Sequence, residues 1–207
     1  LYICALFIMI FMIFDDYFTI RPIYRLTFQF SIVGLMIAMS GEHLHQIGNI
    51  LGLGLIELGI FAVPFTIFCV VGLMNAFNMI DGVNGLCSGT AMLALLFIGF
   101  KSGLIYDSML VLIIGSMIGF LLFNLRIFGK KRGVFLGDHG SNLIGFWVAW
   151  TAIYSSQNSA YNMEPMTMIW FVAIPLLDCI GLIISRVNRG KSWSTPGRDH
   201  IHHKLMN

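Results

Sequence analysis

The chain has 207 residues, of which 57% are hydrophobic and 11% are charged, and its formal net charge is +2. The charged fraction is less than half of the roughly 25% found in soluble domains, so the composition excludes an ordinary soluble protein and predicts a membrane protein. The net charge says little by itself, because the placement of basic residues in a membrane chain matters more than their sum. We expect no nucleic-acid partner.

Seven apolar segments follow one another along the chain, at residues 1–14, 23–40, 51–77, 85–100, 108–125, 142–154 and 165–185. Most are close to the ~20 residues that cross a bilayer as a helix, and the shorter ones extend into their flanks. We therefore predict an all-α fold, a polytopic transmembrane helical bundle with about seven spans that forms one domain over residues 1–207. The chain begins with Leu1 and has no basic region before its first apolar run, so we also expect a fragment.

Basic residues are distributed unevenly between the two sides of such a bundle. If the spans alternate in direction, one side receives only Lys101. The other side receives Arg21, Arg25, Arg126, Lys130, Lys131, Arg132, Arg186, Arg189, Lys191, Arg198 and Lys204. Because the cytoplasmic loops of membrane proteins are enriched in Lys and Arg, this second side is predicted to face the cytoplasm.

Carboxylates collect on the same predicted cytoplasmic side, which carries Asp15, Asp16, Asp81, Asp138 and Asp199. Another acidic residue, Asp178, lies within the last apolar segment, where a lipid-facing carboxylate is costly, so it is predicted to face the bundle interior. Carboxylates that converge with basic residues at one membrane face are what a site for a phosphorylated substrate and a divalent cation requires.

The first acidic motif, MIFDDYFTIRP, places Asp15 and Asp16 next to each other at a predicted membrane boundary. Adjacent carboxylates repel each other and are costly to desolvate, unless a cation lies between them or water reaches both. Two interpretations are open: a phosphoryl-transfer site that holds Mg²⁺, and a solvated helix end.

The second motif is NAFNMIDGVNG, in which Asn75, Asn78, Asp81 and Asn84 are spaced by three. On a helix these residues form a slowly turning polar stripe that must face protein or water. The two glycines of the motif allow the backbone to approach a bulky anion closely. The alternative is a polar seam in which asparagines hydrogen-bond across a helix interface, although a charged Asp81 is expensive there and favours a functional site.

The third motif, RIFGKKRGVFLGDHGSNLIGF, places Asp138 between Gly137 and Gly140. Ser141 is predicted to be the N-cap of the next span, so Asp138 would lie just before a helix amino terminus. An anion or a metal–phosphate pair is stabilised at such a position. The basic run before it is interpreted as a topological anchor.

The carboxyl-terminal motif follows the last apolar segment and contains Arg198, His200, His202 and His203. Three histidines within four positions suit a metal, and neutral imidazoles with a guanidinium suit a diphosphate equally well.

The chain resembles the polyprenyl-phosphate N-acetylhexosamine-1-phosphate transferases in the order and spacing of five segments. These are DDYFTIRP, NAFNMIDGVNG, FLGDHGSNLIGF, IPLLD with the later Arg186, and RDHIHH. The resemblance covers essentially the whole chain. HIHH is similar to the WecA-type branch, which uses N-acetylglucosamine; the MraY type, which transfers phospho-muramyl-pentapeptide, is the alternative. Family members carry more spans than are predicted here, which implies that helices are missing at both ends.

The resemblance implies transfer of a sugar 1-phosphate from a UDP-N-acetylhexosamine to undecaprenyl phosphate, with release of UMP, at the cytoplasmic face of the bacterial inner membrane. It implies Mg²⁺ or Mn²⁺ as cofactor, with Asp138 as the metal ligand. The catalytic acids that it implies are Asp15, Asp16, Asp81 and Asp138. The substrate-binding residues that we expect are Asn75, Asn78, Asn84, Arg198, His200, His202 and His203. The lipid bilayer is a further partner, and a homodimer is left open.

Two positions depart from the family pattern. Asn84 stands where a second aspartate is common, and an amide cannot act as a base. His139 stands where a small or aliphatic residue is usual. Two other classes of function are alternatives: an ion-coupled transporter, because intramembrane acids also mark ion pathways, and a non-catalytic remnant that only binds lipid or partner helices.

Overall fold

The computed structural model describes residues 1–18, 20–49, 54–129, 131, 133–161 and 163–188, and the fold described below is that of these residues. Its helices are α1 (Tyr2–Phe18), α2 (Pro22–Ser40), α3 (Ala62–Ile80), α4 (Leu86–Ser102), α5 (Ser108–Asn124), α6 (Gly137–Gln157), α7 (Pro165–Phe171) and α8 (Ala173–Asn188). Short 3₁₀ turns lie at Gly59–Phe61, Leu104–Tyr106 and Ser159–Tyr161. The predominantly helical class is therefore confirmed.

A small β-hairpin, which the apolar pattern did not predict, connects α2 to α3. Strand β1 (Gln46–Asn49) pairs antiparallel with β2 (Leu55–Glu57). The predicted span at residues 51–77 consequently begins as a helix only at Ala62, after the 3₁₀ turn. Gly54 and Gly59 adopt positive φ angles of 90° and 49°, which interrupt regular structure in this stretch.

Among the described residues, two helices are long and apolar enough to cross a membrane: Pro22–Ser40, with 19 residues, and Gly59–Ile80, with 22 residues including the 3₁₀ turn. A third candidate is the pair α7 and α8, which is bent by 77° at Val172, so the predicted span at 165–185 is not one straight helix. Helices α4 and α5 are apolar but have only 17 residues each. The described residues thus support a membrane protein with two or three candidate spans, and the count of seven is not confirmed.

Helix α6 lies at the centre of the bundle, where it packs against α1, α3 and α4. It approaches α3 closely at Gly145, where a Cβ atom would lie 2.7 Å from the Cα atom of Met74. Only glycine permits two helix backbones to come this close, as small residues do between transmembrane helices. The fully buried rings of Phe77 and Phe146 belong to the same core, so α3 and α6 both contribute to it.

Successive helices from α1 to α6 run in opposite directions, so their ends meet in two groups. At one end, which we call the acidic end, the last turn of α1 meets the first turns of α2 and α6, and the last turn of α3 meets the first turn of α6. At the opposite end, Gln157 at the end of α6 accepts hydrogen bonds from the backbone N–H groups of His45 and Gln46. The acidic residues of three separate connections are thereby brought to one end of the molecule.

Candidate functional site

An arginine in the first turn of α2 joins two of the predicted catalytic acids. Nη1 of Arg25 donates to Oδ2 of Asp138 at 2.9 Å and to Oδ2 of Asp15 at 3.3 Å. These three residues come from α2, α6 and α1, and the two acids are far apart in the sequence. Asp15 is only 6% exposed, and its Oδ1 also accepts the backbone N–H of Ile20 at 3.0 Å. The predicted convergence of Asp15 and Asp138 is therefore present, with an arginine between them.

The second acid of the pair has a different environment. Oδ2 of Asp16 lies 2.8 Å from Nδ1 of His139, which follows Asp138 in α6. The side chain of Asp16 is 39% exposed, so it is open to solvent while its neighbour Asp15 is buried. The adjacent carboxylates therefore point to different partners, which reduces the repulsion between them.

Helix α6 begins earlier than predicted. Its first residue is Gly137, with a φ of +69°, and Asp138 lies within the first turn rather than before the helix. The prediction that Ser141 is the N-cap is wrong, because Ser141 is buried inside the helix and its Oγ donates to the carbonyls of Gly137 and Asp138. With the left-handed Gly137 as its first residue, α6 begins five residues before Asn142, where a helix capped by Ser141 would begin. Asp138 still lies beside the positive end of the helix dipole.

The polar stripe predicted from Asn75 to Asn84 is helical only in its first half. Helix α3 ends at Ile80, Asp81 is its C-cap, and Asn84 lies exposed in the turn before α4. The turn is closed by Gly85, whose φ of +81° precedes α4. Burial raises the pKa of Asp81 to about 6, and the negative charge of Asp138 adds to the rise. Asp81 therefore lies close enough to Asp138 for the two carboxylates to interact.

The asparagines inside α3 form the interhelical seam that was the alternative interpretation of this motif. Nδ2 of Asn75 donates to Oε1 of Gln29 at 2.8 Å, and Nε2 of Gln29 donates to Oδ1 of Asn142 at 2.7 Å. Nδ2 of Asn142 then donates to the backbone carbonyl of Asp138 at 2.7 Å. Asn78 similarly donates to Oγ of Ser141 at 3.0 Å. A continuous chain of hydrogen bonds thus connects α3 and α2 to the turn that carries Asp138.

Sequence reasoning missed several residues that build this site. Gln29 and Asn142 are 0% and 1% exposed, and a polar residue within each apolar segment was the signal available for them. Asn124 is also buried; its side chain accepts the N–H of Gly85 and donates to the carbonyl of Val134. It therefore ties the turn after Asp81 to the loop that leads into α6.

The donor chemistry at the acidic end suits a divalent cation. Carboxylate oxygens are the ligands that Mg²⁺ and Mn²⁺ prefer, and Mg²⁺ is commonly held by one or two carboxylates together with substrate phosphates. Asp138 and the nearby Asp81 meet that requirement. Within the part of the chain that the structure describes, no group of three or more His, Cys, Asp or Glu side chains forms a complete metal cage.

Two further sequence predictions concern the end of the chain. Asp178 in α8 is 5% exposed, so the prediction that it faces the bundle interior is confirmed. The predicted substrate-binding residues Arg198, His200, His202 and His203 lie outside the described residues.

Comparison with known proteins supports the resemblance. The family model described as "Glycosyl transferase family 4" matches residues 1–156. The undecaprenyl-phosphate alpha-N-acetylglucosaminyl 1-phosphate transferase of Yersinia pestis is 38% identical over 200 residues, which cover 93% of this chain and 54% of that protein. The protein of the same name from Escherichia coli (strain K12) is 34% identical over 196 residues, covering 93% of this chain and 53% of that protein.

A third relative of the same name, from Haemophilus influenzae, is 38% identical over 214 residues, which cover 100% of this chain and 60% of that protein. The chain thus spans between half and three fifths of the length of the curated relatives it matches. Because the family model and the relatives each match most of this chain, the chain belongs to glycosyl transferase family 4.

Proposed function

We propose that this chain forms part of an enzyme that transfers N-acetylglucosamine 1-phosphate from UDP-N-acetylglucosamine to undecaprenyl phosphate and releases UMP. The observation that carries the proposal is the meeting of Asp15 and Asp138 on Arg25 at the acidic end, where the charge of Asp138 also acts on Asp81. The names of the relatives support the choice of sugar and lipid.

The charge distribution at this end suits two phosphorylated substrates. Asp138 and Asp81 would hold Mg²⁺ or Mn²⁺, which supplies the positive charge that a diphosphate needs in order to approach carboxylates. The first turn of α6 directs its backbone N–H groups and its dipole toward the same place, which favours a bound anion. Arg25 is 26% exposed, so its guanidinium can also meet a phosphate oxygen.

Asp15 and Asp16 have different roles in this proposal. Asp15 is buried and held by Arg25 and a backbone N–H, so it fixes the arginine in place. Asp16 is the accessible carboxylate of the pair and is positioned to face a substrate. The lipid phosphate needs no strong base, because a phosphate monoester has its second pKa near ~6 and is largely ionised at neutral pH.

We also propose that all seven apolar segments span the membrane and that the acidic end faces the cytoplasm of a bacterial inner membrane. The alternating directions of α1 to α6 support this arrangement, as do the large apolar side chains exposed on the outer faces of the helices, such as Phe68, Leu112 and Leu177. Basic residues at the acidic end, including Arg21 and Arg25, agree with the positive-inside rule.

The test is UMP release by the full-length gene product with UDP-N-acetylglucosamine, undecaprenyl phosphate and Mg²⁺. We expect turnover by the wild type and a loss of about 100-fold or more for Asp138→Asn, since a metal carboxylate is removed. Glu57→Gln, which removes an exposed carboxylate at the opposite end, is the matched control and is expected to keep wild-type activity. Substrate uptake into proteoliposomes without UMP formation would instead support the transporter alternative.

A further inference from the structure

A histidine that the proposed reaction leaves unexplained makes a specific contact with one of the acids. His139 lies in the first turn of α6, and its Nδ1 is 2.8 Å from Oδ2 of Asp16 at the end of α1. A carboxylate can only accept, so Nδ1 carries the proton and donates it. The bond joins two helices across 123 positions of sequence.

The space for this contact depends on the glycine two positions earlier. A Cβ atom on Gly137 would lie 2.9 Å from Cε1 and 3.1 Å from Nδ1 of the His139 ring, and 3.8 Å from Oδ2 of Asp16. Any side chain at residue 137 would therefore displace the ring from the carboxylate. The left-handed conformation of Gly137 also favours glycine there. Both this conformation and the space that the imidazole ring needs therefore favour glycine at residue 137.

The exposure of the pair argues against a purely structural role. The side chains of His139 and Asp16 are 40% and 39% exposed, and an ion pair or hydrogen bond as accessible as this contributes little to folding stability. Orientation is affected more, because the exposed carboxylate of Asp16 stands on the last turn of α1 and His139 is the side chain that contacts it. A directed N–H donor selects one rotamer of the Asp16 side chain.

We propose that His139 is a positioning residue, which holds the carboxylate of Asp16 beside the first turn of α6 in the orientation that the transfer reaction uses. This inference rests on the proposed function. Asp15 does not depend on His139, because Arg25 and the N–H of Ile20 already fix it.

The experiment compares three variants of the full-length gene product by kcat, KM and thermal unfolding. His139→Ala removes the donor and is expected to lower kcat by about 10-fold to 100-fold, with KM for UDP-N-acetylglucosamine changed by less than about 3-fold. His139→Asn places an amide N–H near the position of Nδ1 and is expected to restore kcat to within about 3-fold of the wild type. His45→Ala, at the opposite end and exposed, is the matched histidine control and is expected to behave as the wild type.

Unfolding temperatures separate positioning from stability. His139→Ala is expected to unfold within about 2 °C of the wild type, because the pair is exposed. Adding His139→Ala to Asp16→Asn is expected to cause no further loss of kcat, since the carboxylate that it orients is already gone.

Each outcome decides one of the two proposals. Three results would overturn the positioning role while the wild type still releases UMP. The first is a His139→Ala variant with the kcat of the wild type, and the second is a loss of kcat that is matched by a lower unfolding temperature. The third is a double variant in which the effects of His139→Ala and Asp16→Asn on kcat multiply. A wild type that releases no UMP overturns the proposed function together with the inference that rests on it.

Discussion

The close contact between α3 and α6 makes a quantitative prediction at Gly145. A Cβ atom introduced by Gly145→Ala would lie 2.7 Å from Cα of Met74 and 3.2 Å from the carbonyl oxygen of Leu73. Both atoms belong to the α3 backbone, so no side-chain rotation relieves the contact and the two helices must separate. Overpacking of this kind costs about 1–3 kcal/mol.

Gly72→Ala in α3 is the matched control, because no atom of another helix lies within 4 Å of the Cβ position there. Both substitutions gain the same helix propensity of up to about 1 kcal/mol, so the difference between the two variants isolates the clash. A difference of about 1–3 kcal/mol corresponds to about 2–12 °C in a chain of this size.

The assay is thermal unfolding of the wild type and both variants in detergent, followed by tryptophan fluorescence. We expect Gly145→Ala to unfold at a lower temperature than Gly72→Ala by the amount given above. If the two variants unfold at the same temperature, the helices are not in backbone contact at Gly145, and the packing described for the core is wrong.

Three further predictions concern the acidic end. Gln29→Leu leaves the amide of Asn142 without its buried partner and is expected to cost about 1–3 kcal/mol in unfolding free energy, measured by denaturant titration; no change would contradict the seam. Arg25→Ala leaves buried Asp15 without its cation and is expected to reduce both the unfolding temperature and UMP release, whereas Arg25→Lys is expected to recover part of each. An Arg25→Ala variant with the unfolding temperature and UMP release of the wild type would refute the role of Arg25 as a bridge between Asp15 and Asp138. Because the pKa of Asp81 is raised to about 6, ionisation of Asp81 destabilises the metal-free folded state as the pH rises from about 4 to above 6. Asp81→Asn is therefore expected to raise the unfolding temperature at pH 8 and to change it little at pH 4. Equal shifts of the unfolding temperature at both pH values would contradict this.

The sequence predicts the helical class and the gathering of acids for a simple physical reason. Apolar segments of near-membrane length form helices, and helices joined by short connections alternate in direction. Acidic residues in every second connection must then reach the same end. Asp15 and Asp138 meet there as expected, and the charge of Asp138 acts on Asp81.

The details that sequence reasoning missed depend on backbone conformation and on partners. An apolar pattern does not distinguish the short strand Leu55–Glu57 from the start of a span, because both are hydrophobic runs. The bend at Val172 and the early start of α6 at Gly137 follow from local φ and ψ angles and from packing. The partners of Gln29 and His139 lie on other helices, so only the three-dimensional arrangement identifies them.

The most direct test of the account is Mn²⁺ binding, measured by electron paramagnetic resonance on the full-length gene product with and without UDP-N-acetylglucosamine. We expect the nucleotide sugar to strengthen Mn²⁺ binding, because its phosphates add to the coordination that the described acids supply. We expect Asp138→Asn to abolish this effect and Glu57→Gln to preserve it. Binding of Mn²⁺ that is equally strong in Asp138→Asn and in the wild type would contradict the claim that the acidic end holds the metal and the diphosphate.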